Sequence, residues 1–172
     1  LTRLRDMGIE PFLLSSSLLT NFSAFTLNIF YLLNGIPLTA QYGVNCYKVV
    51  YETIDPLGGR TTASGGLYLP QQSGHNWPLL SFSHGTLTQT NDVPSVAVTL
   101  DAFAGIAFAS VGYASVVADL LGMGSSPGSH PYLHARSEAT ASVDMLRAAR
   151  NYCASNNISL NGQIFLAGYS QG

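Results

Sequence analysis

Gln163-Ile164-Phe165-Leu166-Ala167-Gly168-Tyr169-Ser170-Gln171-Gly172 is the stretch on which the reading of this chain turns. The apolar run Gln163 to Ala167 has the length of a short buried strand, and it passes directly into a Gly-x-Ser-x-Gly pentapeptide. Small residues two before and two after a serine let the backbone turn sharply enough to lift the hydroxyl above a sheet. Ser170 is therefore the candidate nucleophile, and Gly168 and Gly172 are the residues that make its turn possible. A pattern of five residues arises often; its position at the end of a strand gives it weight.

Working outward, the preceding segments supply the rest of such a sheet. Val44 to Thr53 and Thr61 to Leu69 read as strands joined by Asp55-Pro56-Leu57-Gly58-Gly59, a turn with φ fixed at Pro and free at Gly, so the two form an antiparallel hairpin. Pro78 to Ser83 is a short apolar strand ending at His84-Gly85. Asp101 to Val111 suits a helix weakened by Gly105, and Tyr113 to Ala118 is a strand ending at Asp119. Gly122 to Pro131 is a Gly/Ser/Pro loop. Ala135 to Asn156 is the clearest helix, with Val143, Leu146, Ala149 and Cys153 on one face, flanked by Arg147 and Arg150. Hairpin, strand, helix, strand, helix, strand is the order of an α/β fold: a mostly parallel sheet with an antiparallel N-terminal hairpin.

Residues 1–43 read as a separate N-terminal helical segment. No charged residue lies between Pro11 and Tyr47, and Leu18, Phe22, Phe25, Ile29, Leu32 and Ile36 recur at steps of four and three. Asn21, Asn28 and Thr20 fall on the other side, which is the pattern of an amphipathic helix packed on a core, stopped by Gly35 and Pro37. A span from Phe12 to Leu33 would be apolar all round, and this one carries eight Ser, Thr or Asn residues, so a membrane span is not expected. Arg3 and Arg5 ahead of the apolar run also suit a signal peptide, but no small-x-small cleavage site follows.

Composition narrows the chemistry. A formal charge of −2 offers no basic surface for nucleic acid. Charged residues are only 9% of the chain, against about 25% in an average soluble domain. With so much Ser, Thr, Gly and Tyr, that balance suits a secreted or extracytoplasmic enzyme. Cys46 and Cys153 could form at most one disulfide.

Open α/β sheets carry their sites at the carboxyl ends of the strands, where the remaining candidates fall. A tetrahedral acyl intermediate carries charge on oxygen and needs two backbone N–H groups aimed at it. Gln171, after the nucleophile, is one candidate donor. Thr86, after His84-Gly85, is the other, with Leu87 as its alternative. His84 is expected to orient its loop rather than act as base. Asp119, ahead of Gly122-Met123-Gly124-Ser125, is expected to shape that loop by bonding the loop's own N–H groups. His130 and His134 are four apart, as helical zinc ligands are, but Pro131 and Tyr132 stand where a metalloprotease has its Glu motif, so no metal site is expected. These two histidines line or cap the loop.

On these residues the chain resembles the N-terminal half of the α/β-hydrolase lipases and esterases, close to the secretory-lipase-like branch. The likeness rests on the Tyr51–Pro70 hairpin with Ala63-Ser64-Gly65, on Phe82-Ser83-His84-Gly85-Thr86 and on Asp119 to Pro131. Asp144-Met145-Leu146-Arg147-Ala148-Ala149-Arg150 and Gly168-Tyr169-Ser170-Gln171-Gly172 complete it. It implies hydrolysis of a small-molecule or lipid carboxylic ester through an acyl-enzyme, without cofactor or metal. In this fold the triad runs Ser, acid, His along the chain, which removes Asp119 as the acid and places acid and histidine beyond Gly172. The chain then reads as a fragment: residues 44–172 are the N-terminal part of one catalytic domain, cut after the elbow strand and inactive alone. A peptidase or other acyl hydrolase of the same fold is the first alternative. A non-catalytic module binding lipid or a partner is the second. An Asp or Glu followed by a His downstream of Gly172 would decide for the enzyme.

Overall fold

The computed structural model describes residues 13–172. Arg3 and Arg5, on which the signal-peptide reading leaned, lie outside the described residues. The elements run β1 (Leu13–Phe22), α1 (Ala24–Leu33), β2 (Val44–Ile54), β3 (Arg60–Pro70) and β4 (Asn76–Ser83). There follow α2 (Leu100–Ser110), β5 (Ala114–Ala118), α3 (Ala135–Ser155) and β6 (Ser159–Gly168).

The N-terminal segment departs from its periodicity. Residues 13–22 are not helical: they pair antiparallel with β2, from Leu13 opposite Tyr51 to Phe22 opposite Val44. Ser23 then starts the helix by accepting the Thr26 N–H at 3.0 Å. The face that α1 buries is also not the expected one. Leu27 and Tyr31, spaced i and i+4, are buried, while Phe25 is 75% and Leu32 80% exposed. Asn28, read as outward-facing, exchanges hydrogen bonds with both backbone groups of Ala40, and Tyr31 Oη lies 3.0 Å from Ser110 Oγ. Two specific polar anchors set the rotation of a helix whose apolar residues lie nearly all round it.

The six strands form one mixed sheet in the order β1-β2-β3-β5-β4-β6. β1, β2, β3 and β5 are joined antiparallel; β4 lies parallel to β5 on one side and to β6 on the other. The chain leaves β4 through α2 to β5, then passes through α3 to the opposite side of β4. That reversal opens a crevice at the carboxyl ends of β4 and β6.

Each face of the sheet has its own apolar layer. Val116 and Val117, adjacent on β5, point to opposite faces. One layer packs Tyr51, Leu67 and Val116 against Met145 and Ala149 of α3. The other packs Tyr68 and Val117 against α1 and α2. Cys46 belongs to the second layer and Cys153 to the first, and both are free thiols, so the one disulfide the sequence allowed is not formed. Gly105, which only weakens α2 as an isolated helix, lets the helix lie directly on Tyr68: an added Cβ would strike its ring.

α3 is fastened at its N-terminus and at its middle. His134 caps it by accepting the Ser137 N–H, as a capping role for that histidine implied. Asp144, also buried, accepts from Thr53 Oγ1 at 2.8 Å and from Arg147 at 3.0 Å, while Tyr51 donates to the Ala141 carbonyl at 2.9 Å. β6 differs from the reading of a buried strand. Among the described residues it pairs only with β4, and Leu166 is 77% exposed.

Candidate active site

The turn after β6 is as tight as its sequence demanded. Tyr169 N–H donates to Ser83 O at 3.1 Å, tying the turn to the end of β4, and Gly172 N–H closes it on Tyr169 O at 3.1 Å. Ser170 has φ +57°, a left-handed conformation that costs a residue with a Cβ roughly 1–2 kcal/mol. A Cβ at Gly168 would meet the Gly172 carbonyl, and one at Gly172 would meet Ser83, so both glycines are sterically required. Ser170 itself is exposed. A strained serine raised on a tight turn is the geometry of a presented hydroxyl.

The His84-Gly85 corner lies against this turn. A Cβ at Gly85 would sit 3.3 Å from the Tyr169 ring and 3.8 Å from Ser170 Cβ. Its shape is held from three directions. His84, buried, has Nδ1 2.7 Å from Gly85 O and Nε2 3.4 Å from Asp119 O. Gly85 N–H donates to Asp101 Oδ1 at 3.3 Å, and Thr86 Oγ1 lies 3.0 Å from Tyr132 Oη. The backbone N–H groups of Thr86, Leu87 and Gln171 donate to no other described residue.

Asp119 is fully buried at the end of β5, and its bonds are not the expected ones. Oδ2 accepts the Ser64 hydroxyl at 2.5 Å, and Oδ1 accepts the Ser95 N–H at 3.0 Å. Among the described residues, Asp119 reaches the Gly122–Ser125 loop by hydrogen bonds only through Ser64, whose Oγ accepts the Ser125 N–H at 2.8 Å. A Cβ at Gly124 would collide with the Asp119 carboxylate, so the glycine is a matter of space as well as of its φ of +58°. Burial raises the Asp119 pKa above the ordinary carboxylate value, opposed by the bonds from Ser64 and Ser95 and by His84.

The four histidines are all engaged away from the Ser170 hydroxyl. His75 stacks on Trp77 at the start of β4, His84 is held between two carbonyls and His134 caps α3. His130 has Nδ1 2.8 Å from Leu121 O and Nε2 3.3 Å from Gln171 Nε2. Gln171 Nε2 also donates to Glu138 Oε1 at 2.6 Å. Sequence reasoning missed Glu138, Tyr132, Asp101, Ser64 and Ser95. Glu138 and Asp101 carry only the signal of an acidic residue in a first helical turn, Ser64 only its place in the Ala63-Ser64-Gly65 stretch, and Tyr132 and Ser95 carry none. Among the described residues no group of three His, Cys, Asp or Glu side chains could hold a metal.

The family model described as secretory lipase matches residues 87–172, half of the chain. The chain belongs to the secretory lipase family. Among solved structures it is similar to the ligand-bound rice cell wall degrading esterase LipA from Xanthomonas oryzae, at 34% identity and a TM-score of 0.84. That match covers 93% of this chain and 42% of the esterase. A candidate hydrolase from Legionella pneumophila gives 34% identity and a TM-score of 0.86, over 93% and 44% of the two chains. Candida antarctica lipase A in its closed state shares the fold at 19% identity and a TM-score of 0.60, over 93% and 35%. The chain thus spans about two-fifths of the length of the esterase and of the Legionella hydrolase. No curated protein matches it. The family and these neighbours agree with the α/β fold read from strand order and with the α/β-hydrolase type that the resemblance implied.

Proposed function

We propose that this chain carries the nucleophile and the oxyanion-binding corner of a serine carboxylic-ester hydrolase. The observation that carries the reading is Ser170: exposed, at φ +57°, at the sheet's crevice, beside the His84-Gly85 corner. The Ser170 oxygen attacks the ester carbonyl carbon while its proton passes to a histidine. The carbonyl π-electrons move onto oxygen, which the Gln171 and Thr86 N–H groups receive. Collapse expels the alcohol, which takes that proton, and leaves an acyl-serine. Water then attacks the acyl carbon, releasing the acid and restoring the Ser170 hydroxyl. The engagement of all four histidines elsewhere, and the two-fifths coverage of the neighbours, support a base and acid supplied by sequence C-terminal to Ser170. On that reading residues 44–172 are the N-terminal part of one catalytic domain, and the isolated chain does not turn over ester. Family membership supports an exported protein acting on a small or lipid ester.

The test is covalent labelling of the longest natural polypeptide that contains this chain. A fluorophosphonate probe labels Ser170, and Ser170→Ala abolishes both labelling and p-nitrophenyl ester hydrolysis. Near-full esterase activity in Ser170→Ala would end the proposal. His84→Ala slows turnover but leaves the labelled serine in place.

A further inference from the structure

The residue that follows the proposed nucleophile is clamped by two side chains from elsewhere in the fold. Gln171 Nε2 carries two hydrogens and meets two acceptors. One is Glu138 Oε1 at 2.6 Å, a short, charge-assisted bond. The other is His130 Nε2 at 3.3 Å, which presents a lone pair because the ring hydrogen is spent on Leu121 O at the opposite nitrogen. The amide oxygen, Gln171 Oε1, is buried without a partner among the described residues. The orientation of the amide therefore depends on its nitrogen side, and reversing it would press Oε1 against the Glu138 carboxylate. Glu138 is itself fixed: Oε1 also accepts the Leu133 N–H at 3.1 Å, and it sits in the first turn of α3, where the helix dipole favours its charge.

We infer that Glu138, backed by His130, is a positioning residue for catalysis, holding the Gln171 side chain so that the Gln171 backbone N–H stays aimed at the developing oxyanion. The inference rests on Ser170 being the nucleophile. Its physical basis is the turn: Ser170 is in an unfavourable conformation, and such a conformation persists only where its surroundings over-determine it. Ser83 holds the turn through Tyr169 on one side of the serine, and Glu138 holds it through Gln171 on the other. An oxyanion donor works only when placed within a few tenths of an ångström, so loosening residue 171 should be felt in the chemical step rather than in substrate binding.

The experiment uses the longest natural polypeptide containing this chain, with p-nitrophenyl butyrate hydrolysis and the fluorophosphonate labelling rate as readouts. Glu138→Ala lowers kcat about ten- to hundredfold, short of the full loss of an oxyanion donor, with KM within about twofold. Glu138→Gln recovers to within about threefold of the parent, because its amide oxygen can accept both N–H groups. Gln171→Ala, which leaves the start of α3 untouched, loses kcat to a similar extent, and adding Glu138→Ala to it costs nothing further. A kcat within about twofold of the parent in either single Ala variant would overturn the inference. So would a Gln variant as slow as Ala, or losses that multiply in the double variant. Hydrolysis surviving Ser170→Ala would instead remove the nucleophile reading beneath it; labelling at Ser170 that is indifferent to Glu138→Ala would remove the clamp alone.

Discussion

The Ser64 hydroxyl donates to Asp119 Oδ2 at 2.5 Å while its oxygen accepts the Ser125 N–H at 2.8 Å, so one serine on β3 joins the buried carboxylate to the loop that borders the site. The linkage gives Asp119 a structural task that does not involve a histidine side chain. Asp119→Asn turns one acceptor oxygen into a donor facing the Ser64 hydroxyl or the Ser95 N–H. We expect a loss of about 1–3 kcal/mol in stability, measured by urea unfolding, with only a modest loss of kcat. A drop on the order of 10⁴ in kcat at unchanged stability would make Asp119 catalytic.

The same carboxylate should leave a signature in pH. Burial raises its pKa in the folded chain, so between the ordinary aspartate value and the raised one the native state keeps a proton that the unfolded chain has lost. Stability from this group is therefore full below the unfolded value, falls as pH rises through that window, and is level above it. Subtracting the urea-unfolding free energy of Asp119→Asn from that of the parent at each pH should show this decline. Asp144 is shifted in the same direction, by burial first, and its Asn variant should give a second falling curve. A difference that rises with pH would contradict the assigned environments.

Ser170 carries backbone strain that a glycine would not. Ser170→Gly should therefore be more stable than Ser170→Ala by about 1 kcal/mol in denaturant unfolding, while neither hydrolyses ester. Equal stability of the two would mean that the turn does not impose a left-handed residue at position 170.

Gly105 sets helix propensity against packing. In an exposed helix, Gly→Ala gains about 1 kcal/mol. Here the new Cβ would strike the buried Tyr68 ring, so Gly105→Ala should instead destabilise by about 1–3 kcal/mol. A gain in stability would show that α2 can lift off β3 at little cost.

Cys46 and Cys153 should behave as two inert thiols. Burial pushes their pKa values up to about 12 and about 11, which leaves almost no thiolate at pH 8. Non-reducing mass analysis should find no bridge, and iodoacetamide should modify both only under unfolding conditions. Rapid labelling of either in the native chain would count against its burial.

Local signals determined much of this protein. The hairpin about Asp55–Gly59, the strands ending at Ser83 and Ala118, the long helix capped at His134 and the Gly168–Gly172 turn were all legible, because each depends on side-chain period or turn chemistry within about ten residues. The candidate nucleophile came from the same source. What only the tertiary structure decided was which neighbour each element would take. Residues 13–22 carry a pattern that also suits a helix, yet they extend along β2, whose edge offers a row of backbone partners. α1 turned Leu27 and Tyr31 inward because Ala40 and Ser110, 12 and 79 residues away from their partners, supply the polar anchors. Asp119 found Ser64 and Ser95, 55 and 24 residues earlier in the chain, and Gln171 found Glu138 33 residues back. No spacing rule links such pairs; they meet because strand order and helix docking bring them to one end of the sheet.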